Sequence, residues 1–282
     1  MQIINHLKNL QLEMKVFRTP LSYLTLSILP IFFRTLKRLG VPAPRYILAF
    51  CPDGSRILYP IFSSVGIHIN LLEIYGNREY FLLFSHIPRK GDIIIDCGAY
   101  IGLYSIISSK LSGNDGKIIS IEPNPSVFEH LRRNIQLNKI ENSILLNIAL
   151  ADREGEMEFF IPKVSAAGST FYLEHLSLQK VAEFNKMVVK TMTLDKLILM
   201  ENLNRVNIVK IDVEGAELLV LRGAQNALKS KKIDKLIVEI HKTINPPKEV
   251  IDFLLNKGYN INAYFDINEF KGMLYASAYI TS

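Results

Sequence analysis

The chain has 282 residues, enough for one sizeable α/β domain with an extension or for two small domains. Hydrophobic residues make up 49% of it and charged residues 21%, a composition that excludes an intrinsically disordered protein. Cys51 and Cys97 belong to no C-x-x-C or histidine-rich pattern, so neither a disulfide framework nor a structural zinc site is expected. We therefore expect a cytoplasmic location.

The net charge of +6 is concentrated at the N-terminus. Residues 1–50 contain seven basic side chains and one acidic side chain, so the remainder of the chain is neutral. No basic stripe with interleaved aromatic residues appears in that remainder. The charge pattern therefore argues against nucleic acid as a partner.

The basic N-terminal segment is also apolar. Residues 19–33 carry no charge, but this run is shorter than the ~20 residues that span a bilayer, and Pro30 interrupts it. No small-residue cleavage site typical of a secretory signal follows it. Two interpretations remain open for residues 1–45, which we expect to be a helical extension. In the first, they contact an anionic membrane peripherally, at its inner face. In the second, they pack on the domain or on a second subunit.

Residues 46–282 are predicted to form one domain of alternating strands and helices. Short strands are expected within residues 47–69, a short helix at 79–87, and a mobile lid at 162–168. Core strands are predicted at 92–96, 117–121, 144–148, 157–161, 207–213 and 235–240, helices at 103–111, 125–138, 216–228 and 247–256, and an antiparallel hairpin at 259–265 and 274–280. This alternation predicts a doubly wound, mostly parallel sheet that binds ligands outside the carboxyl ends of its strands.

A glycine turn joins the first core strand to its helix. Gly98 and Gly102 allow a sharp turn and a close approach of a ligand to the backbone, and the helix that follows presents its N–H groups there. Glu122 ends the next strand, where a carboxylate can accept both hydroxyls of a ribose. These features predict a cofactor that contains a nucleoside. The alternative is a turn that serves only strand-to-helix packing.

The identity of the nucleoside follows from the charge and spacing of the turn. A dinucleotide site usually has three glycines as G-x-G-x-x-G, whereas this chain has Gly98-x-x-x-Gly102 with Asp96 just before it. A carboxylate at this place repels phosphates but suits the ammonium group of a methionine. S-adenosylmethionine carries that ammonium, a ribose and no phosphate, so the pattern favours methyl transfer over hydride transfer.

A second group of acids follows two later strands. Asp212 lies at the end of the strand at 207–213 and Glu214 and Glu217 follow it, and Glu239 and His241 lie at the end of the strand at 235–240. His241 is a candidate general base for methylation of a hydroxyl. Asp212, Glu239 and His241 are alternatively candidate ligands of a divalent metal. In the structural alternative, the acids stabilise a helix N-terminus and the histidine is a framework residue.

Several motifs in this chain together resemble the FkbM-type methyltransferases. They are Asp96-x-Gly98-Ala99-x-x-Gly102, Glu122-Pro123-Asn124-Pro125, Leu131-x-x-Asn134 with Asn138, Asn147-x-Ala149-Leu150-x-Asp152, residues 210–217 (KIDVEGAE) and Glu239-x-His241. The resemblance covers roughly residues 75–245, and the run at 210–217 is its most specific part. The chain departs from the family at Tyr100, where an asparagine is common.

The resemblance implies a class I, Rossmann-like fold with seven strands, one of them antiparallel. It also implies that S-adenosylmethionine binds with its methionine end on the motif at 96–102, including Ala99, its ribose on Glu122, and its adenine near Asn124 and Ala149. The expected activity is methylation of a hydroxyl on a small molecule, a glycan or a lipid, with Asp212, Glu239 and His241 on the acceptor side. A membrane-associated, non-catalytic binding protein and a nicotinamide-dependent oxidoreductase are the alternatives.

Overall fold

The computed structural model of the protein describes residues 28–61, 64–163, 169–172 and 183–278. Twelve strands and eight α-helices are described there. The strands are β1 (Tyr46–Phe50), β2 (Arg56–Pro60), β3 (Ile93–Cys97), β4 (Lys117–Ile121), β5 (Ser143–Leu146), β6 (Ala149–Leu150), β7 (Gly155–Pro162), β8 (Phe184–Met192), β9 (Val206–Ile211), β10 (Ile233–His241), β11 (Tyr259–Asp266) and β12 (Lys271–Ala278). The helices are α1 (Leu29–Arg38), α2 (Ser64–Leu71), α3 (Leu103–Ser112), α4 (Pro125–Leu137), α5 (Leu194–Met200), α6 (Glu217–Arg222), α7 (Gln225–Lys229) and α8 (Pro247–Asn256).

The core is a seven-stranded sheet in the order β11-β12-β10-β9-β3-β4-β5. Strands β5, β4, β3, β9 and β10 pair in parallel, and β12 runs antiparallel to both of its neighbours. The predicted doubly wound, mostly parallel sheet of seven strands is therefore confirmed. Smaller sheets, β1-β2 and β6-β8-β7, flank it.

The central strands form because they are short runs of isoleucine and valine that can be buried on both faces. In β3, for example, Ile94 and Ile95 are fully buried and belong to separate apolar clusters on opposite faces of the sheet. The carboxyl ends of β3, β4, β9 and β10 lie side by side. Acidic and glycine residues that follow these strands are thereby brought to one edge of the sheet.

Three local predictions differ from the structure. Residues 64–71 are helical rather than extended, because Ile67 and Leu71 bury one helical face. The predicted helix at 79–87 is two 3₁₀ turns, Glu79–Phe81 and Phe84–His86, which follow a π-helical turn at Leu72–Asn77. The predicted helix at 216–228 is divided into α6 and α7 at Gly223, where a Cβ would lie 2.1 Å from the carbonyl oxygen of Ala151. Neither β8 nor α5 was predicted.

The described part of the N-terminal extension begins with α1. Leu29 and Phe33 pack against the core, whereas Ile31 and Phe32 are exposed. Residues 1–27 and residues 164–168 of the predicted lid lie outside the described part of the chain. Within the described ranges, no helix combines the length and the apolar character that crossing a bilayer requires.

Candidate active site

A cavity of about 770 Å³ opens at the carboxyl ends of the central strands. One half is formed by the turn after β3, the end of β4 and strand β6. The other half is formed by the segments that follow β9 and β10, by α2, and by the start of β12. Both predicted groups of residues therefore meet in one space, which Gly98, Glu122 and Ala149 line in the first half and Asp212, Glu239 and His241 in the second.

The glycine turn is tight because it packs against the end of β9. Gly98 has a φ of +77°, and a Cβ at this position would lie 1.8 Å from the carbonyl oxygen of Asp212. Gly102 precedes α3 with a φ of +95°, and a Cβ there would lie 2.7 Å from the side chain of Leu131. Gly98 lines the cavity, whereas Gly102 has the packing role of the structural alternative. Both glycines are required by the fold.

Asp96 lies behind the cavity wall. Its carboxylate is fully buried, accepts a hydrogen bond from Ser105 Oγ at 2.5 Å, and pairs with Lys210 Nζ at 3.2 Å. Burial alone would lower the pKa of Lys210, but the Asp96 and Asp212 carboxylates outweigh burial and raise it, so the ammonium stays charged. Lys210 Nζ also donates to the carbonyl of Gly98 at 2.8 Å. This geometry favours a supporting role for Asp96 over direct contact with a methionine ammonium.

Glu122 lies at the end of β4 as predicted and lines the cavity. Its two carboxylate oxygens accept backbone N–H groups of Tyr100 at 3.1 Å and of Asn124 at 2.9 Å. Burial raises the pKa of Glu122 to about 7, although these two hydrogen bonds oppose the shift. Each carboxylate oxygen has a second lone pair, so Glu122 can still accept hydroxyl donors from the cavity.

The remaining predicted cofactor residues differ in position. Ala149 of β6 lines the cavity. The N–H of Ala99 donates to the carbonyl of Ile121 at 2.9 Å, so Ala99 belongs to the turn rather than to the described lining. Asn124 caps α4 and borders a smaller, neighbouring cavity. Tyr100 lines both cavities with a φ of +51°, a conformation that asparagine adopts more readily than tyrosine.

Tyr80 joins the two acids that follow β9 and close β10. Its hydroxyl oxygen lies 2.8 Å from Asp212 Oδ2 and 2.7 Å from Glu239 Oε2. Burial, followed by the nearby charge of Asp212, raises the pKa of Glu239 to about 7. Burial would lower the pKa of Lys271, but Glu239 and two further carboxylates raise it, and its ammonium lies 3.2 Å from Glu239 Oε1.

His241 lies between carboxylates. Its Nδ1 is 2.8 Å from Glu217 Oε1, and its Nε2 is 3.1 Å from Glu214 Oε2. Burial would lower the pKa of His241, but Glu214 and Glu217 raise it well above its ordinary value. This shift favours the protonated, imidazolium form of His241. This state does not favour the predicted role as a general base, because a base must begin with a neutral ring nitrogen.

Sequence reasoning missed three charged or polar residues of the site. Tyr80, Glu73 and Lys271 line the cavity, and Lys271 Nζ lies 2.6 Å from Glu73 Oε1 and 2.8 Å from Glu79 Oε2. Lys271 begins the second strand of the terminal hairpin, and the acids lie in irregular helical turns. Neither setting has a sequence motif that would have identified these residues.

Comparisons with known proteins show which family the chain resembles. Residues 96–261 match the model of the methyltransferase FkbM domain. The chain is 30% identical over 183 residues to hexuronic acid methyltransferase AglP of Haloferax volcanii, a match that covers 64% of this chain and 69% of AglP. It is 24% identical over 217 residues to 31-O-demethyl-FK506 methyltransferase FkbM of Streptomyces tacrolimicus, which covers 69% of this chain and 82% of that protein.

Among solved structures, the chain matches a SAM-dependent methyltransferase from Aquifex aeolicus. The TM-score is 0.44 at 13% identity, and the match covers 73% of this chain and 92% of that one. The matched family domain spans more than half of this chain and contains Gly98, Glu122, Ala149, Asp212, Glu239 and His241 of the cavity wall. The chain therefore belongs to the FkbM methyltransferase family and is an S-adenosylmethionine-dependent methyltransferase.

Proposed function

We propose that the protein transfers a methyl group from S-adenosylmethionine to a hydroxyl of a glycan or a small molecule. The observation that carries this proposal is the single cavity that joins Gly98, Glu122 and Ala149 to Asp212, Glu239 and His241. A volume of about 770 Å³ falls within the range of cofactor sites. Carboxylates predominate among its charged residues, as suits a cofactor with a sulfonium and an ammonium group.

The residues of the first half fit the cofactor. Glu122 would accept the ribose hydroxyls, and Ala149 would border the adenine. Gly98 exposes backbone where the methionine moiety would lie, and Asp96 would act there through Lys210, which holds the Gly98 carbonyl. When bound, S-adenosylmethionine supplies an electrophilic methyl group, so the main task of the protein is to position the acceptor.

The residues of the second half would receive the acceptor hydroxyl. The proton that the hydroxyl loses would go to this group of carboxylates, of which Asp212 has a partly exposed side chain that faces the cavity. His241 would stabilise the carboxylates as an imidazolium ion. Its two Glu contacts support this role over that of the base.

The acceptor class is proposed from the relatives. One is named for a hexuronic acid and another for 31-O-demethyl-FK506, so glycans and small molecules with hydroxyl groups are the acceptors to examine. A lipid hydroxyl belongs to the same chemical class and provides a third set of candidates.

The test has two steps. Calorimetry should show that one S-adenosylmethionine binds per chain and that Glu122→Gln weakens binding. The wild type is then incubated with cofactor and with panels of uronosides, neutral glycosides, small alcohols and lipids, and mass spectrometry detects the gain of a methyl group. A wild type that does not bind the cofactor would refute the proposal, as would methylation of amines alone.

We further propose that α1 allows peripheral contact with an anionic membrane. Its outward surface combines exposed Ile31 and Phe32 with the basic Lys37 and Arg38. Apolar side chains that flank cations are typical of helices that lie in a membrane interface. Full-length protein should float with anionic vesicles and not with neutral ones, and Phe32→Glu should reduce flotation. Equal recovery with both vesicle types would refute the membrane contact.

A further inference from the structure

The acid half of the cavity has the donor set of a divalent metal site. Asp212, Glu239 and His241 each present one ligand atom, and these atoms lie within 4.8 Å of one another. An ion with ligand bonds of about 2.0–2.3 Å separates opposite ligands by about 4–4.6 Å. We infer that these three side chains bind one divalent metal ion, which would displace the proton from His241 Nε2 in the metal-bound chain. Glu214 is a candidate fourth ligand, since its Oε2 lies 3.1 Å from His241 Nε2.

A second observation comes from the support behind His241. Its Nδ1 is held at 2.8 Å by Glu217, whose side chain is fully buried. Glu217 also accepts the N–H of Gly215 at 2.9 Å and a side-chain hydrogen bond from Asn245. Proteins hold metal-binding histidines in this way, because a carboxylate on one ring nitrogen directs the other nitrogen toward the ion. Here Nε2 points toward Glu214 and Glu239.

The charges around the site also call for a cation. Within the described residues, ion pairs link Lys210, Lys271 and His241 to seven carboxylates, so negative charge exceeds positive charge. The carboxylates are Glu73, Glu79, Asp96, Asp212, Glu214, Glu217 and Glu239.

The Tyr80 hydroxyl, which is within 2.8 Å of both Asp212 and Glu239, has only one proton to donate. A divalent ion at this point would supply the missing positive charge.

The ligand set favours an ion that accepts both oxygen and imidazole nitrogen. Carboxylates suit Mg²⁺ and Mn²⁺, whereas imidazole suits Zn²⁺ and Fe²⁺, so Mn²⁺ and Zn²⁺ are suitable probes. A bound ion would lower the pKa of an acceptor hydroxyl in the cavity and so remove the need for a neutral histidine as base. The role of the ion rests on the proposed function, whereas its binding does not.

The test measures metal binding by the full chain without any acceptor. Chelator-treated protein is titrated with Mn²⁺, and free Mn²⁺ is followed by electron paramagnetic resonance. We expect one Mn²⁺ per chain, displaced by Zn²⁺, and an affinity at least about tenfold lower in Asp212→Asn and in Glu217→Gln. Glu122→Gln is the matched control, because it neutralises a buried carboxylate of the same cavity and should bind Mn²⁺ like the wild type. Circular dichroism establishes whether each variant is folded. If Asp212→Asn or Glu217→Gln does not fold, His241→Gln takes its place.

The possible results separate the metal site from the methyltransferase activity. No saturable binding of Mn²⁺ or Zn²⁺ by the wild type would overturn the metal site, as would equal Mn²⁺ affinities in the wild type, Asp212→Asn and Glu217→Gln. If the chain binds the cofactor but not Mn²⁺, the metal site is refuted and the proposed methyl transfer stands. If it binds Mn²⁺ but not the cofactor, the metal site stands and the proposed methyl transfer is refuted. Methylation that persists at full rate in chelator would contradict the role of the ion.

Discussion

The contact between Gly98 and the end of β9 permits a sharp test of the cavity. In Gly98→Ala, the added Cβ would lie 1.8 Å from the carbonyl oxygen and 3.0 Å from the carbonyl carbon of Asp212. Both are backbone atoms, and the Asp212 N–H donates to the Cys97 carbonyl at 3.1 Å, so the two segments are held together. Relief of the clash requires a separation of more than 1 Å between the turn and β9.

The expected cost has three parts. Alanine at a φ of +77° costs about 1–2 kcal/mol, the forced separation about 1–3 kcal/mol, and a weakened backbone hydrogen bond about 1 kcal/mol. We therefore expect the free energy of unfolding to fall by about 3–6 kcal/mol, a large share of the stability of a typical domain. Cofactor affinity should fall as well, because the turn lines the cavity.

Gly91→Ala is the matched control. Gly91 has a φ of +82°, close to that of Gly98, but no heavy atom lies within 4 Å of the Cβ position. This variant should lower the free energy of unfolding by only about 1–2 kcal/mol and leave cofactor affinity unchanged. Urea denaturation measures the free energies, and calorimetry measures the affinities. If the two variants lose the same stability, the proposed crowding between the turn and Asp212 is refuted.

Three further variants examine the buried charges. Because burial raises the pKa of Glu122 from 4.5 to about 7, the folded chain keeps a proton that the unfolded chain releases, so this group lowers the free energy of unfolding as pH rises through that window. Glu122→Gln should therefore raise the free energy of unfolding at pH 8 by on the order of 1 kcal/mol, yet weaken cofactor binding about 10–100-fold. A variant that is less stable than the wild type at pH 8 would contradict this reasoning. Lys271→Met leaves the buried carboxylates of Glu79 and Glu239 and the half-buried one of Glu73 without this cation, and should cost about 3–5 kcal/mol by urea denaturation. Lys248→Met breaks an exposed pair and should cost under about 1 kcal/mol. Tyr80→Phe should lower the free energy of unfolding by about 1–3 kcal/mol, because its hydroxyl contacts two carboxylates. The control Tyr46→Phe, at an exposed tyrosine, should change it little. Equal thermal stability of the two variants would show that the hydroxyl of Tyr80 holds neither acid.

The sheet and the cofactor half of the site were predictable because their signals are local. Strand β3, the two glycines and Glu122 lie within about thirty consecutive residues, and each has a pattern with a direct physical cause. Apolar runs require burial on both faces, and glycines permit a positive φ. Strand β8 was missed because its polar edge residues lack the apolar run on which the prediction depended.

The acidic motif predicted which carboxylates and which histidine follow β9 and β10, and it also predicted that they share a sheet edge with the glycine turn. It did not predict their charge states. Tyr80 reaches Asp212 from 132 residues away, and Lys271 reaches Glu73 from 198 residues away. Protonation of His241 depends on its two Glu contacts. The amino-acid sequence by itself thus determined the central sheet and the motif residues of the site. The tertiary structure added Tyr80, Glu73 and Lys271 and decided which groups are paired and charged, because burial and electrostatic interaction depend on distances in space.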